Sequence, residues 1–244
     1  MNVSSPIDPH LTRLKYEQRT EIWPSSDLWH SYTARRLERI VERLGKPGEF
    51  TGKRVLNLGS GGKSYGFESC ELTSVDIAMS LVSTQPQPVV GTAEELPFAD
   101  NTFDLVLCVG SVINYCDAVA LCREISRVLK HEGKAILEFE SSNSAEYIRR
   151  PQYKLDAVGV RVPYQGQLES IWLYSPSYLR ALLSAVGMQV NQDLGFHTVT
   201  TIAYRLFGTE SSAMIFSELD TFGFVSRLLR SFACNRIFLA QKQT

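Results

Sequence analysis

The stretch VLNLGSGG, residues 55–62, decides the fold that we expect for this chain of 244 residues. Its first half is a short apolar run, typical of a buried parallel strand, and its second half is a glycine-rich turn. Glycine in such a turn permits positive φ angles and lets a ligand approach the backbone closely. The stretch therefore predicts a strand that ends in a ligand-binding turn.

Four further apolar runs follow and alternate with helical patterns. We predict strands in them at 72–76, 88–91, 103–109 and 134–140. Between the last two, apolar residues recur at helical spacing over 117–130, and Gly133 is the predicted helix stop. Strands that alternate with helices indicate right-handed βαβ units, and the short links between the first three strands predict abbreviated helices.

Outside this core, helical spacing predicts a helix at 27–44 and another at 175–185, and closing strands are expected at 188–190 and 236–240. Two stretches interrupt the alternation. Residues 141–174 predict a hairpin around Gln165-Gly166, and 197–234 predict helices near 210–219 and 224–233.

We therefore expect one α/β domain over 1–244, with a doubly wound, mostly parallel seven-stranded sheet and one antiparallel closing strand. Its expected parts are an N-terminal helical cap (1–50), a cofactor-binding core (51–140), a hairpin insertion serving as acceptor pocket or lid (141–174) and a helical insertion (197–234).

The composition argues against several classes of protein. The chain has 25 Lys and Arg against 26 Asp and Glu, so a broad surface for nucleic acid is not expected. Its five cysteines form no CxxC pair and no Cys/His metal spacing, which indicates reduced thiols and no metal site. The sequence shows neither a secretion signal nor a transmembrane segment, and we expect a cytoplasmic protein.

Asp76 strengthens the case for a ligand at the glycine turn. It lies 17 residues after Gly59, at the predicted carboxyl end of the second strand. A carboxylate there can accept hydrogen bonds from both hydroxyls of a ribose. The pair predicts a nucleoside-containing ligand and leaves its identity open, although a dinucleotide fingerprint would need glycine at Ser64.

The block GTAEELPFADNTFDLV, residues 91–106, resembles the type-11 subgroup of class I S-adenosylmethionine-dependent methyltransferases. Residues 55–62, 73–76, 124–134 and 178–188 resemble the same family in the same order, so the resemblance covers about 50–190. It implies a Rossmann-like methyltransferase fold, S-adenosylmethionine as cofactor and S-adenosylhomocysteine as product.

The resemblance also implies roles for individual residues. Gly59, Ser60 and Gly61 would line the methionine part of the cofactor, and Asp76 would bind the ribose. The other implied contacts are Ile77 on the adenine, Thr92 and Ala93 at the adenine edge, and Val109 beside the sulfonium.

Two of the implied cofactor positions depart from the family pattern. Asn57 stands where an acidic residue usually faces the cofactor's amino group, directly or through water. Thr92 stands where an aspartate commonly accepts from the adenine amino group. Each side chain keeps an oxygen acceptor and loses a charge, which predicts weaker contacts with the cofactor.

A general base is optional in methyl transfer, because the cofactor carries most of the driving force. The candidate bases are His30, His197, Tyr115 and Glu140. The candidate substrate residues lie in the first insertion, where aromatic and guanidinium surfaces suit a sugar, an aromatic ring or an anionic small molecule. They are Tyr147, Arg150, Tyr164 and Trp172.

Three functions stay open. The favoured one is methyl transfer to a small-molecule or saccharide acceptor, on oxygen rather than nitrogen because no amine-recognition cluster is evident. The second is a non-catalytic, regulatory S-adenosylmethionine-binding protein, for which Asn57 and Thr92 argue. The third is a nicotinamide-dependent oxidoreductase, which Ser64 and residues 91–98 disfavour. Residues 210–233 are candidates for a homodimer or membrane-surface contact.

Overall fold

A seven-stranded sheet forms the centre of the fold in this computed structural model, which describes residues 7–19, 22–24, 26–164, 167–221 and 223–244. Its strands are β1 (Arg54–Leu58), β2 (Glu71–Asp76), β3 (Pro88–Val90), β4 (Phe103–Cys108), β5 (Leu129–Glu140), β8 (Met188–Phe196) and β9 (Asn235–Lys242). The strand order is β3-β2-β1-β4-β5-β9-β8. Neighbours from β3 to β5 pair in parallel, and β9 pairs antiparallel with both β5 and β8. The predicted fold class is confirmed.

A separate two-stranded hairpin follows β5. It consists of β6 (Ala157–Tyr164) and β7 (Gln167–Tyr174), which pair antiparallel along their whole length. The predicted turn residues Gln165 and Gly166 lie outside the described residues.

Eight α-helices occur in the part of the chain that the structure describes. They are α1 (Pro9–Glu17), α2 (Leu28–Gly45), α3 (Met79–Val82), α4 (Ala118–Val128), α5 (Pro176–Ala185), α6 (Val199–Phe207), α7 (Glu210–Met214) and α8 (Gly223–Leu229). Short 3-10 helices span Pro47–Phe50, Val112–Tyr115, Ala145–Tyr147, Ser217–Thr221 and Arg230–Phe232. Asp27 and Ser175 cap α2 and α5 by accepting from the backbone N–H groups of His30 and Tyr178, as expected for these residue types.

The sheet is covered on both faces by apolar side chains. On one face, Leu121 and Ile125 of α4 and Leu179 of α5 pack in a fully buried cluster with sheet residues. On the other, Leu37 and Val41 of α2 belong to a second buried cluster. Burial on both faces explains why the parallel strands have nearly continuous apolar sequences rather than alternating ones.

The boundary between α4 and β5 differs from the prediction. The helix ends at Val128, and Leu129 already pairs with Phe103 of β4, so Gly133 lies inside β5 rather than at a helix stop. The carbonyls of Arg127 and Val128 accept from the backbone N–H groups of Asn101 and Thr102. Because these carbonyls bond to the segment before β4, the backbone becomes extended immediately after the last residue of α4.

Two helices were not predicted from the sequence, α1 and α6. The α6 N-terminus is held by a distant residue, since the carboxylate of Asp220 accepts from the backbone N–H groups of Thr198, Val199 and Thr200 at 2.8–3.3 Å. A cap supplied from 20 residues downstream leaves no local signal. The predicted helices at 210–219 and 224–233 are shorter: two turn residues separate α7 from the 3-10 helix Ser217–Thr221, and α8 continues directly into the 3-10 helix Arg230–Phe232.

Helices α6 to α8 leave several large apolar side chains exposed, namely Leu206, Phe207, Ile215, Phe224 and Leu228. Among the described helices none has the length and apolarity to cross a bilayer. Contact of residues 210–233 with a membrane surface or a second copy of the chain stays a prediction, as does the cytoplasmic location.

Candidate functional site

A cavity of about 860 Å³, including its opening to solvent, lies at the carboxyl ends of β1, β2 and β4. Ligands of open parallel sheets bind at this edge. We call its two parts the glycine side and the aromatic side. The glycine side is lined by Gly59, Ser60, Gly61, Asp76, Ile77, Leu81, Gly91, Thr92, Ala93 and Glu94. The aromatic side is lined by Tyr16, Trp23, Tyr65 and Tyr115, together with Thr12, Ile22, Val109, Gly110, Val112 and Cys116.

The turn after β1 has a backbone that only glycine adopts easily. Gly59 has a φ of +62°, and a Cβ added there would lie 2.3 Å from Cγ2 of Val112. The N–H groups of Gly59 and Ser60 donate to the carbonyl of Val75, which fixes the turn against β2. The hydroxyl of Ser60 is 1% exposed and has no hydrogen-bond partner among the described residues. An unpaired buried hydroxyl on a cavity wall indicates a polar ligand there.

Asp76 ends β2 and is tied to the same turn. One carboxylate oxygen accepts from the N–H of Gly61 at 3.0 Å and the other from the N–H of Ala78 at 3.1 Å. Burial raises the pKa of Asp76, and these backbone hydrogen bonds oppose the rise. Each carboxylate oxygen can accept a second hydrogen bond, so the residue can still bind ligand hydroxyls from the cavity.

Asn57 is fully buried in β1 and does not line the cavity as the structure describes it. Its amide nitrogen donates to the carbonyl of Lys63 at 2.7 Å, and its amide oxygen has no described partner. Through its bond to Lys63, the Asn57 side chain therefore stabilises the glycine-rich turn after β1. An acidic residue in the same place could not donate to Lys63 while ionised.

Thr92 bonds to a carboxylate that the sequence analysis did not single out. Its hydroxyl donates to Oε2 of Glu94 at 3.2 Å and accepts from the Glu94 N–H at 3.0 Å. The other oxygen of Glu94 accepts from the N–H of Asp117 at 2.5 Å. Because Glu94 also lines the glycine side, the negative charge that Thr92 lacks is present two residues further along.

The aromatic side contains Tyr115, one of the predicted candidate bases. Tyr115 lies in the 3-10 helix after β4, and its ring meets that of Tyr16 edge-to-face with centroids 5.9 Å apart. Its hydroxyl donates to Oε2 of Glu169 in β7 at 2.6 Å. Burial is the main cause that raises the pKa of Tyr115 well above its usual value.

Glu169 links three segments of the chain around the aromatic side. Its side chain has no exposed surface and forms ion pairs with Lys15 of α1 and with Arg19. The Arg19 guanidinium lies over the rings of Tyr16 and Tyr164, 4.7 and 4.3 Å from their centroids. Residues 12–19 and 22–23 thereby cover the cavity, and β7 is tied to them through Glu169.

A second carboxylate fastens α1 to the glycine side. Glu17 accepts from the N–H groups of Met79 and Ser80 in the first turn of α3, at 2.8 and 3.3 Å. Backbone N–H groups at the start of a helix have no partner within it, so a carboxylate stabilises them.

The two histidines among the candidate bases do not line the cavity as described. His197 is fully buried; its ring nitrogens contact the hydroxyls of Thr33 and Thr200 at 2.7 and 2.9 Å, and its ring stacks on Trp29. Burial is the main cause that holds its pKa well below the usual value. His30 lies in the first turn of α2, where its Nδ1 contacts Asp27 at 2.6 Å.

Glu140 ends β5 and is also absent from the described lining. Its carboxylate lies near Ser111, Glu138 and Glu146. Burial first, and then the charges of these two carboxylates, raise its pKa to about 8.

None of the candidate substrate residues lines the cavity in the described structure. Tyr147 packs in a small cluster with Ile171 and Leu173, and Arg150 is exposed. The carbonyl of Trp172 accepts from the Asn114 amide at 2.6 Å. Tyr164 is nearer, because its hydroxyl donates at 2.5 Å to the carbonyl of Ile22, which lines the cavity.

Several residues that contact or line the aromatic side were missed, among them Tyr16, Trp23, Tyr65 and Glu169. Tyr16 and Trp23 precede residue 50, where the family resemblance is weak. Glu169 lies in an alternating strand pattern, in which a carboxylate ordinarily faces solvent. No local signal could have identified it.

Comparison with known proteins gives three concordant similarities. A family described as "Methyltransferase domain" matches residues 56–137. A 2-phytyl-1,4-naphtoquinone methyltransferase of Trichormus variabilis is 28% identical over 63% of this chain and 69% of its own length. A ubiquinone/menaquinone biosynthesis C-methyltransferase of Shewanella oneidensis is 35% identical over 43% of this chain and 40% of its own.

The fold has a close counterpart among solved structures. The magnesium protoporphyrin IX methyltransferase of Synechocystis, solved with bound S-adenosylmethionine, superposes with a TM-score of 0.59 at 13% identity. The superposition covers 98% of this chain and all of that one. The similarity therefore extends over both insertions and the N-terminal region.

Proposed function

Because this chain belongs to the class I S-adenosylmethionine-dependent methyltransferases of the type-11 subgroup, with S-adenosylmethionine as its cofactor, we propose that it methylates a small, mostly apolar ring compound. The observation that carries the proposal is the continuity of the cavity, in which one space joins the glycine side to a wall of four aromatic side chains. Aromatic walls of this kind bind flat rings through stacking and edge contacts.

The glycine side fits the cofactor on its own structural evidence. A side chain at position 59 would collide with Val112. The Ser60 hydroxyl has no described hydrogen-bond partner, and the Asp76 carboxylate at the end of β2 can still accept hydrogen bonds. Ile77, Thr92, Ala93 and Val109 line the same space, in keeping with their implied adenine and sulfonium contacts. When bound, S-adenosylmethionine supplies an electrophilic methyl group with a good leaving group.

The protein's own contribution is positioning and exclusion of water. Residues 12–19 and 22–23 cover the cavity, and Tyr16 and Trp23 would hold a flat acceptor against Val109 and Gly110, which line the same space. Fixing two reactants in line can lower the barrier by roughly 7–11 kcal/mol. In this proposal, the hairpin insertion holds the cover through Glu169 and Tyr164.

We place the methylated atom at oxygen, since the described lining of the aromatic side contains hydroxyls and no carboxylate: those of Thr12, Tyr16, Tyr65 and Tyr115. Carbon is the second candidate, because the Shewanella relative is named as a C-methyltransferase. A non-catalytic cofactor-binding protein is the remaining alternative.

The test is turnover with S-adenosylmethionine and a panel of phenols, naphthols and hydroquinones. Release of S-adenosylhomocysteine above the acceptor-free control supports the proposal, and NMR with a 13C-labelled methyl group separates O-methyl from C-methyl products. Tight cofactor binding without release for any ring compound would instead favour the non-catalytic alternative.

A further inference from the structure

Three arginines surround one carboxylate where α5 packs on β8 and β9. The carboxylate of Asp193 in β8 accepts from Nη2 of Arg236 at 2.6 Å and from its Nε at 3.1 Å. Arg180 of α5 donates to the same carboxylate at 3.0 Å, and Nε of Arg230 lies 4.0 Å from it. No other carboxylate of the described residues pairs with these arginines. This arginine cluster therefore has two positive charges without a described counter-charge.

The local structure explains why the three arginines meet. Arg236 and Phe238 are two residues apart in β9, so their side chains lie on the same face of the sheet. Helix α5 covers that face, and the Arg180 guanidinium lies 5.0 Å from the centroid of the Phe238 ring. Arg230 follows α8 and donates to the backbone carbonyl of Asp193 at 2.9 Å. Three separate segments thus bring their charges to one point.

An open groove of about 920 Å³, including its opening to solvent, lies beside the arginine cluster. It shares no described lining residue with the cavity between the glycine side and the aromatic side. Arg180, Arg236 and Asp193 line it, together with side chains that can donate hydrogen bonds, namely Asn143, Ser177, Ser184 and Ser231. The groove begins at the first turn of α5, and the start of a helix attracts anions. Its lining is therefore rich in donors.

Arg236 is the enclosed member of the cluster. Its side chain is only 5% exposed, yet it lines the groove. Its Nε and Nη2 bond to Asp193, whereas Nη1 forms no hydrogen bond to a described residue. Burial is the main cause that lowers the pKa of Arg236; the charges of Arg230 and Arg180 add to this effect, and Asp193 opposes it. An anion in the groove would offset the repulsion between the guanidinium groups.

We propose that the arginine cluster and the groove beside it bind a phosphate group. Guanidinium groups bind phosphate oxygens through paired hydrogen bonds. A phosphate dianion matches the two uncompensated charges and offers acceptors to donors on several sides, whereas a carboxylate has one charge and two oxygens. The inference does not rest on the proposed function, because the groove is separate from the cavity.

The phosphate can belong to a soluble ester or to a lipid headgroup, and two arms of one experiment separate these sources. Inorganic phosphate and acetate are titrated by calorimetry at constant ionic strength. The protein is also sedimented with phosphatidylcholine vesicles that contain or lack phosphatidic acid. We expect phosphate to bind at least tenfold more tightly than acetate.

Each outcome of the two arms has a defined meaning. Phosphate binding without sedimentation supports the inference with a soluble ester as the ligand. Sedimentation that depends on phosphatidic acid and is competed by phosphate supports it with a lipid headgroup, next to the exposed Phe224 and Leu228 of α8. Equal affinities for phosphate and acetate, or no binding in either arm, would overturn the inference.

Arg180→Gln locates the binding site. Loss of a charged donor should weaken phosphate binding about tenfold, or about 1.4 kcal/mol. Arg180→Lys keeps the charge and should retain part of the affinity. Arg35→Gln is the matched control, because it removes the same charge from an exposed helical arginine on α2, at the opposite face of the sheet. Unchanged phosphate affinity in Arg180→Gln, or an equal loss in Arg35→Gln, contradicts the inference.

Discussion

The two sides of the cavity are built in different ways. The glycine side consists of turns that follow adjacent parallel strands, and backbone groups fix it: Gly59 bonds to Val75, and Gly61 to Asp76. The aromatic side is fixed by side chains from distant segments, as in the Arg19–Glu169 pair, whose members lie 150 residues apart. The first is thus set by local sequence and sheet topology, and the second by tertiary contacts outside the sheet.

The strongest test of a backbone-built glycine side is Gly59→Ala. A left-handed φ costs about 1–2 kcal/mol for a residue with a Cβ, and displacing Val112 adds about 1–3 kcal/mol of overpacking. We expect roughly 2–5 kcal/mol of lost stability and loss of detectable cofactor binding, measured by denaturant unfolding and calorimetry.

Gly62→Ala is the control for Gly59→Ala. Gly62 also has a positive φ, but its Cβ would meet nothing closer than the Leu81 carbonyl at 3.8 Å. It should lose only the conformational part, about 1 kcal/mol. Equal losses in the two variants would show that contact with Val112 contributes nothing.

Asn57→Asp asks whether this position serves the turn or the cofactor. The substitution removes the donor to Lys63 and places a charge in a fully buried site, so we expect roughly 2–4 kcal/mol of destabilisation at pH 7. Asn191→Asp, at an exposed asparagine that donates to Gln241, should change little. If Asn57→Asp instead binds the cofactor more tightly and is not destabilised, position 57 faces the cofactor's amino group, as the family resemblance implies.

Asp76→Asn tests the one carboxylate fixed by backbone bonds at the end of β2. We expect the affinity for S-adenosylmethionine to fall about 10–100-fold, or about 1–3 kcal/mol, because hydrogen bonds to a charged acceptor are lost. Asp104→Asn is the control, since Asp104 accepts from the Arg54 N–H at the opposite edge of the sheet. Similar affinity losses in both variants would point to a general effect on the sheet.

Glu140→Gln tests a buried carboxylate of the opposite kind to Asp76. The Asp76 carboxylate accepts hydrogen bonds from backbone N–H groups of a turn, whereas no such bond is described for the Glu140 carboxylate. Its pKa is about 8 in the folded protein against 4.5 for an ordinary glutamate, so unfolding between these values releases a proton. Stability should therefore decrease as pH rises from 4.5 to 8, by at most about 1.4 kcal/mol per pH unit. The slope should be smaller in Glu140→Gln in urea unfolding, because the buried Glu138 and Glu146, whose pKa values are also raised, keep contributing to it. Glu210→Gln, at an exposed residue, should keep the full slope, and an unchanged slope in Glu140→Gln contradicts the assignment.

The same contrast explains what could be predicted from the sequence. β1, the glycine turn and Asp76 were predictable, because an apolar run, a glycine and a carboxylate each act within a few residues. Helix α1 and the aromatic wall were not, because Glu17 depends on α3 and Glu169 depends on Lys15 and Arg19. The sequence predicted that Asn57 lies in β1 just before the glycine-rich turn, but its hydrogen bond to the Lys63 carbonyl could be seen only in the structure.

Glu169 contacts Tyr115, Lys15 and Arg19, and these contacts limit which segments can be exchanged with those of a relative in a chimeric protein. Exchanging the hairpin alone with that of a relative would leave Lys15 and Arg19 enclosed without a counter-charge, and exchanging α1 alone would strand the carboxylate. We therefore expect substrate range to be transplanted only when segments 9–23 and 157–174 are exchanged together, and we expect residues 15, 19 and 169 to covary across homologues.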